Sequence, residues 1–468
     1  MSFDSYPIGI GPQFEGERIR RKELIFELSG PKAKGFELCL VKNMKEVEDD
    51  KVVIIGPDLS EMKEGTSNPC GILMEIAGKE LESDLEAVIE RRIHDFGNFI
   101  QGFLHLNQRY TNWMRISKKA YAKGLNSLNM IGEIMIKLFK AEFNIIEKMQ
   151  MTFITDEKKI DKHLEDAMVV YEGRDQRVRG MTDDDVDEFY ACTLCASFAP
   201  KHGCAITPNR MSLCGAINWF DCRAASKVDP KGPIYKVPKG ELLNESAGEY
   251  SGINDMIKNQ SLGEINRVFL YSGLEHPHTS CGCFEAIAFY IPEVEGYAIV
   301  DRDYKGNSVN GLPFSTMANS TGGGNQVEGF NGISIEYMRS PKFFQHDGGW
   351  ERFVWLPLKI KERILEFIPE KMRDRIATEN EAMEVESLKS FLQGVQHPVM
   401  ERWTEEEEEE EDDVSGEYTP VQGVPMGTQS FMVPGVGGGP GFKIILNNVK
   451  IYAESVIIKK IEPKKKKK

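Results

Sequence analysis

Apolar residues in the first eighty positions come in short runs separated by turn formers: LIFEL from Leu24, FELCLV from Phe36, VVIIG from Val52 and GILMEIAG from Gly71. Runs of this length bounded by Gly, Pro, Asp or Asn predict β-strands. The period then changes. Leu81, Leu85, Val88, Ile89, Ile93, Phe96, Ile100 and Leu104 recur at helical spacing, which predicts a helix with a core-facing side, and Ser83 with Glu86 has the form of a capping box at its start. Apolar positions on most turns predict a second helix over Leu125 to Met151 and a third over Lys158 to Tyr171. Thr182 followed by Asp183 to Asp185 reads as a helix start, since carboxylates interact favourably with a helix N-terminus. Residues 1–175 therefore form an α+β domain in this reading, with a boundary near residues 170–182.

Beyond it the chain is richer in Gly, Pro, Asn and aromatics. RVFLYS from Arg267, FEAIAFYI from Phe284 and GYAIV from Gly296 have strand character, and helices are expected over Leu358 to Phe367 and Ala382 to Phe391. Residues 176–398 make the second domain. An unbroken acidic run, Glu405 to Asp413, cannot pack against itself, so residues 399–420 read as a disordered linker. Residues 421–468 follow as a β-patterned tail, FKIILNNVKIYAESVIIKKI, preceded by VPGVGGGPG and ending in Lys464 to Lys468. The fold class is α+β and multidomain: a mixed α/β first domain, an α+β second domain that carries most of the cysteines, the linker and a small β-rich tail. No internal repeat is present.

Composition narrows the function. The 468 residues are 41% hydrophobic and 28% charged, an ordinary globular balance that excludes wholesale disorder and coiled-coil readings. A net charge of −15 argues against binding nucleic acid or an anionic membrane surface. No apolar stretch approaches the roughly 18 residues of a spanning helix, and MSFDSYPIGIGPQ lacks a secretory pattern, so a cytoplasmic location is expected.

The cysteines carry the chemistry. Seven of the nine fall between Cys192 and Cys283. Cys192, Cys195, Cys204 and Cys214 read C-x2-C-x8-C-x9-C, four thiolates in a compact, loop-rich segment that suits a [4Fe-4S] cluster or a structural zinc. Only one pair is tight and the later ligands arrive singly, which favours iron–sulfur over the paired spacing of zinc sites. Cys281-Gly282-Cys283 offers two sulfurs and, between them, the amide nitrogens of Gly282 and Cys283. If both amides lose their protons, the four donors close around one metal as a planar N2S2 set suited to Ni(II) or Cu(II). Taken alone, CGC is also two ordinary thiols in a turn; beside the four-cysteine cassette the metal reading is preferred.

CTLCASFAPKHGC, MSLCGAINWFDCRAA and TSCGCFEA resemble the A-cluster segment of CO-methylating acetyl-CoA synthase, and the chain to about residue 398 is similar to the beta-subunit family of archaeal acetyl-CoA decarbonylase/synthase complexes. The resemblance implies a Ni-Ni-[4Fe-4S] cluster. Cys192, Cys195, Cys204 and Cys214 would hold the [4Fe-4S] part, with Cys195 also bridging to a proximal nickel. Cys281 and Cys283 would bridge the two nickels, and the Gly282 and Cys283 nitrogens would complete the distal one. Phe198 matches a family aromatic beside the proximal metal, with a core Phe as the plainer alternative. The implied reaction joins a methyl group from a methylated corrinoid iron–sulfur protein, CO and coenzyme A into acetyl-CoA, reversibly, in a complex with CO dehydrogenase subunits and without any nucleic-acid or membrane partner.

Coenzyme A needs cations for its phosphates and an aromatic for its adenine. RYTNWMRISKKAYAK from Arg109 has five basic residues, no acid and three aromatics, and a family Trp and arginines in this region are linked to CoA. Trp113, Arg115 and Arg109 are therefore the CoA candidates, against a solvated basic face as the alternative. Arg18, Arg20, Arg21 and Lys22 form a second, weaker candidate. His276 and His278 are expected to be satisfied histidines more often than donors to the site, TGGGNQ from Thr321 a tight turn near it, and Cys39, Cys70 and Cys222 structural thiols. Two other functions fit the residues less well: an electron-transfer module with the [4Fe-4S] cluster and no nickel, and a zinc-stabilised assembly subunit recruiting partners through its tail.

Overall fold

The computed structural model describes residues 3–403 and the backbone of two later strands, and the chain divides into two compact units, Met1–Glu407 and Glu408–Lys468. In the first unit the order is β1 (Leu24–Ser29), β2 (Gly35–Val41), β3 (Lys51–Ile55), β4 (Ser67–Asn68), β5 (Cys70–Ala77), α1 (Glu86–Asn98), β6 (Phe103–Asn107), β7 (Trp113–Ser117), α2 (Lys118–Lys123), α3 (Leu128–Glu142), β8 (Lys148–Ile154) and α4 (Ile160–Gln176). Two four-stranded sheets result, ordered β4-β1-β7-β6 and β2-β5-β8-β3. In the second, β2 and β5 are parallel, β5 and β8 antiparallel, and β8 and β3 parallel. Phe26, Ile72, Met74, Ile89, Ile93, Phe96, Ile131 and Met151 share one apolar cluster, so α1 is enclosed rather than surface-lying.

The same unit continues through β9 (Glu188–Cys192), β10 (Cys204–Ile206), α5 (Trp219–Val228) and β11 (Ile234–Pro238), which make a three-stranded sheet ordered β10-β9-β11 with α5 beside it. A short pair, β12 (Leu242–Asn244) and β13 (Glu249–Tyr250), precedes a four-stranded sheet ordered β16-β14-β15-β17. Its strands are β14 (Ala286–Ile291), β15 (Gly296–Asp301), β16 (Phe330–Ile333) and β17 (Phe353–Trp355). The central strands β14 and β15 are buried almost throughout, as expected of strands covered on both faces. In the second unit β18 (Gln429–Val433) pairs antiparallel with β19 (Phe442–Leu446), so the start of the β-patterned tail is a strand. The acidic run and the rest of the tail lie outside the described residues.

Four expectations are corrected. The helix begun at Leu125 ends at Glu142, and Lys148–Ile154 is a strand; Met149 and Met151 are buried while Lys148 and Gln150 are half-buried, a two-residue alternation that the longer helical reading overran. The helix begun at Leu81 is α1 alone, because Gly102 turns the chain at φ 78° and Leu104 belongs to β6. Its capping box is absent; Ser83–Leu85 is a single 3-10 turn with Glu82 ahead of it. RVFLYS forms no strand: Leu270 and Tyr271 are buried loop residues whose N–H groups donate to Gly248 and Ala247 carbonyls. Thr182 does cap a turn with Asp185, one 3-10 turn in length. Among the described residues no helix is long and apolar enough to cross a membrane.

A buried ion network fixes α4 against α1. Arg174 donates to Glu90 at 2.8 Å, to Glu86 at 3.0 Å and to the Cys39 carbonyl at 2.6 Å. Arg174→Met strands two buried carboxylates and is expected to cost about 3–5 kcal/mol, read as a lowered urea midpoint. His397 is buried, accepts the Val399 N–H at 3.1 Å and faces the Phe353 carbonyl at 3.0 Å. Burial holds its imidazole down to about 4. An unfolded His titrates near 6.5, so the unfolded chain binds the proton first and His397 removes stability as pH falls from about 6.5 towards 4. The urea midpoint of the wild type should approach that of His397→Asn across this window; a constant gap would contradict the buried neutral state.

Candidate metal centre

Cys192 ends β9 and Cys204 begins β10, and the antiparallel register sets them opposite one another. Cys195 sits in the turn after β9, where the Ala199 and Phe198 N–H groups donate to its carbonyl at 2.9 and 3.1 Å. Cys214 follows in a turn where Ser212 Oγ lies 3.4 Å from its sulfur. Burial, with Cys214 adding to it, pushes the Cys192 thiol up to about 12. Burial and then Cys192 push the Cys204 thiol up as well. Cys222 of α5 is fully buried and its thiol is raised first by burial and then by Cys192, so it lies on the fringe of the same group.

Cys281 and Cys283 precede β14, and the long connection from β11 returns them to the turn after β9. The Sγ atoms of Cys195, Cys281 and Cys283 lie within 4.8 Å of one another. S–H donation from Cys195 and then Cys281 holds Cys283 well below its usual value, with Arg91 and His94 helping. The three sulfurs are thus close enough for their protons to be shared among them. A buried, all-sulfur set of this kind matches the preference of soft metals, and a cation would replace the protons that burial now retains. The donor set therefore fits the metal group that the resemblance implies.

The loop is braced by the glycines of TGGGNQ. Gly323 N–H donates to the Cys281 carbonyl at 3.1 Å and Gly324 N–H to the Ser280 carbonyl at 2.8 Å. A Cβ on Gly322 would stand 3.3 Å from Gly282 Cα, so a larger residue there would press on the CGC backbone. Gly282 itself has φ 120°, a region that side chains disfavour. His278 accepts the Ala205 N–H at 2.9 Å through Nε2 and contacts the Thr279 carbonyl through Nδ1; both nitrogens are occupied within the core.

Arg91 escaped the sequence reading. It is buried on α1, with one guanidinium nitrogen 3.5 Å from Cys195 Sγ and the other 3.2 Å from Asp95. Burial works against its charge, but Asp95 and the thiols of Cys195, Cys283 and Cys214 more than restore it. Glu86, Glu90, His94 and Asn98 are also buried on α1, and their four-residue spacing was the available signal that the helix carries a polar stripe inward. His94 Nδ1 lies 2.9 Å from His105 Nδ1, and His105 Nε2 bonds the Glu37 carboxylate.

A cavity of about 400 Å³ opens beside the sulfurs, lined by Cys214, Cys283, His94, Arg302, Tyr110 and Arg363 among others. Arg109 also lines it, but is 4% exposed and donates to Asp175 and the Ala216 carbonyl. Trp113 and Arg115 do not line it. The Arg115 guanidinium lies 4.2 Å from the Trp113 ring centre, and both donate to Glu27 at 3.2 and 3.0 Å. Phe198 is 41% exposed, its ring 5.9 Å from that of His94, which makes it no ordinary core residue.

Residues 6–160 match the family described as CO dehydrogenase/acetyl-CoA synthase complex beta subunit, and residues 171–403 match the family of the C-terminal part of the ACS/CODH beta subunit. The beta subunit of the acetyl-CoA decarbonylase/synthase complex of Methanopyrus kandleri is 51% identical over 98% of this chain and 98% of its own length. Subunit beta 1 from Methanosarcina acetivorans is 50% identical over 98% of this chain and 99% of its own. A solved structure of the C-terminal domain of the acetyl-coenzyme A synthase alpha subunit is 36% identical, covering 26% of this chain and 95% of that one, with a TM-score of 0.24. With matches of this extent along both halves, the chain belongs to the family of acetyl-CoA decarbonylase/synthase complex beta subunits.

Proposed function

We propose that this chain makes and cleaves acetyl-CoA, joining a methyl group from a methylated corrinoid iron–sulfur protein, CO and coenzyme A at a Ni-Ni-[4Fe-4S] cluster, beside CO dehydrogenase subunits in a larger complex. The observation that carries the reading is the convergence of Cys195, Cys281 and Cys283 within 4.8 Å at the edge of a cavity. Cys192, Cys195, Cys204 and Cys214 would hold the iron–sulfur part. Cys195, Cys281 and Cys283 would hold the neighbouring nickel, and the sulfurs of Cys281 and Cys283 with the nitrogens of Gly282 and Cys283 the other. When bound, the cluster supplies an open, soft coordination position at which one-carbon groups bind and are joined.

The protein's own residues supply charge and access. Arg91 sets a fixed positive charge against Cys195, which offsets thiolate charge in a largely buried region. The cavity gives a thiol a route to Cys283, and its arginines make the approach favourable for an anionic molecule. Phe198, exposed beside His94, is in this reading the aromatic next to the nickel held by Cys195, Cys281 and Cys283. In this reading the adenine and phosphates of coenzyme A meet Trp113 and Arg115, and Arg109, tied to Asp175, holds the wall of the cavity.

Protein purified and handled without oxygen, then supplied with nickel, should contain about four iron and about two nickel per chain; zinc alone would overturn the reading. Cys283→Ala should abolish nickel retention and acetyl-CoA/CO exchange while leaving most of the iron, because it is no ligand of the iron–sulfur part. Trp113→Ala should raise KM for coenzyme A on the order of tenfold, the loss of one cation–π or stacking contact, with little change in methyl transfer. Equal effects on both steps would argue that Trp113 supports the fold and not CoA.

A further inference from the structure

Two of the donors in the proposed site are backbone nitrogens, so the residues that govern them are those that hold the two peptide groups. The Gly282 nitrogen shares its peptide with the Cys281 carbonyl, and the Cys283 nitrogen shares its peptide with the Gly282 carbonyl. Both carbonyl oxygens are already bonded on the side away from the nitrogens. The first accepts the Gly323 N–H at 3.1 Å. The second accepts from the Arg302 guanidinium, which also donates through Nε to the Phe284 carbonyl at 2.7 Å and through Nη1 to Asn107 at 3.4 Å. Arg302 therefore grips the loop on both sides of Cys283.

No carboxylate forms a salt bridge with Arg302 among the described residues, and burial pulls its charge down, while Cys283 and then Cys281 support it. A guanidinium kept in such a place, with its donors on loop carbonyls, has a cost that a neutral amide in a purely structural role would avoid. The Cys283 N–H already lies 3.3 Å from Cys281 Sγ, so its nitrogen and that sulfur face each other before any metal arrives. A peptide nitrogen binds a metal after its N–H proton is released to solvent, and the amidate charge left behind is shared with the carbonyl oxygen, where a cationic donor is worth more than a neutral one.

We propose that Arg302, with the Gly323 N–H as its neutral counterpart, is the positioning residue for the nickel that CGC holds: it sets the Gly282–Cys283 peptide plane and places positive charge on the oxygen that becomes negative. Arg302 also lines the cavity, so its role at the nickel is read from metal content, absorption and release rather than from turnover. The inference rests on the nickel reading above. It sets Arg302 apart from Arg91, which is directed at Cys195.

The test loads full-length wild type, Arg302→Met, Arg302→Gln and Arg302→Lys with nickel without oxygen, then follows three readouts: nickel and iron per chain, the visible absorption of bound nickel, and the rate of nickel release to a chelator. Loss of a residue that orients metal ligands typically weakens binding about 10–100-fold. Arg302→Met and Arg302→Gln should therefore release nickel at least about tenfold faster than wild type with a shifted absorption band, at unchanged iron content. Arg302→Lys, which restores charge but not the fork, should fall between. If Arg302→Met fails to fold, the ordering of wild type, Lys and Gln decides the matter in the same way. Wild-type release rates and spectra in all folded variants would overturn the inference while leaving the nickel reading intact. A wild type that takes up no nickel would overturn both.

Discussion

Thiolates in a protein interior are the constraint around which this molecule is organised. Burial drives a cysteine towards its neutral thiol, so collecting six of them in one largely buried region is unfavourable for the thiolate form until positive charge is present. Two guanidiniums are brought to this region: Arg91 from α1, beside Cys195, and Arg302 after β15, on the CGC backbone. One comes from the first half of the unit and the other from the second. The second half supplies all six sulfurs, and α1, enclosed by the fold, brings Arg91 to them from the first.

Holding α1 in that place takes more than apolar packing. Its polar stripe is tied down twice, Glu86 and Glu90 to Arg174 of α4 and His94 through His105 to Glu37 of β2, while Arg91 is paired with Asp95 within the helix. Hydrophobic contacts resist separation but tolerate rotation, whereas buried ion pairs and hydrogen bonds have one geometry in which all partners are satisfied. The network thus fixes the rotation of α1 and, with it, the direction of the Arg91 guanidinium.

Periodicity alone made three strands of the β2-β5-β8-β3 sheet legible, because β2, β3 and β5 are short apolar runs between clear turn signals. It misread Lys148–Ile154, where a strand follows a helix so closely that the two patterns merge into one apolar stretch. RVFLYS misled for the opposite reason: a buried loop needs apolar residues as much as a strand does, and composition cannot tell which partner its N–H groups will find. At the site, spacing and resemblance pointed to the cysteines, since ligand chemistry leaves its mark in the sequence. Arg91 and Arg302 left none. Charged residues are common, and only the fold reveals that these two lose their water and face sulfur or a carbonyl beside it.

The cavity beside Cys283 is rimmed by cations whose charges are already engaged. Arg109 is held by Asp175, Arg302 by loop carbonyls, and Arg363 by the Tyr110 hydroxyl, which in turn donates to Glu285. The same wall also carries Glu285, Asp301 and Asp303, so its cations favour an anion only where they outnumber these carboxylates. Asn107, on the same wall, is paired across β6 and β7 with Trp113. Trp113 and the cavity that reaches the sulfurs are therefore neighbours on one strand pair, although only the cavity is lined by Cys214 and Cys283. A long substrate with a nucleotide at one end and a thiol at the other is the kind of molecule that can use both at once, and under the proposed function coenzyme A has that shape.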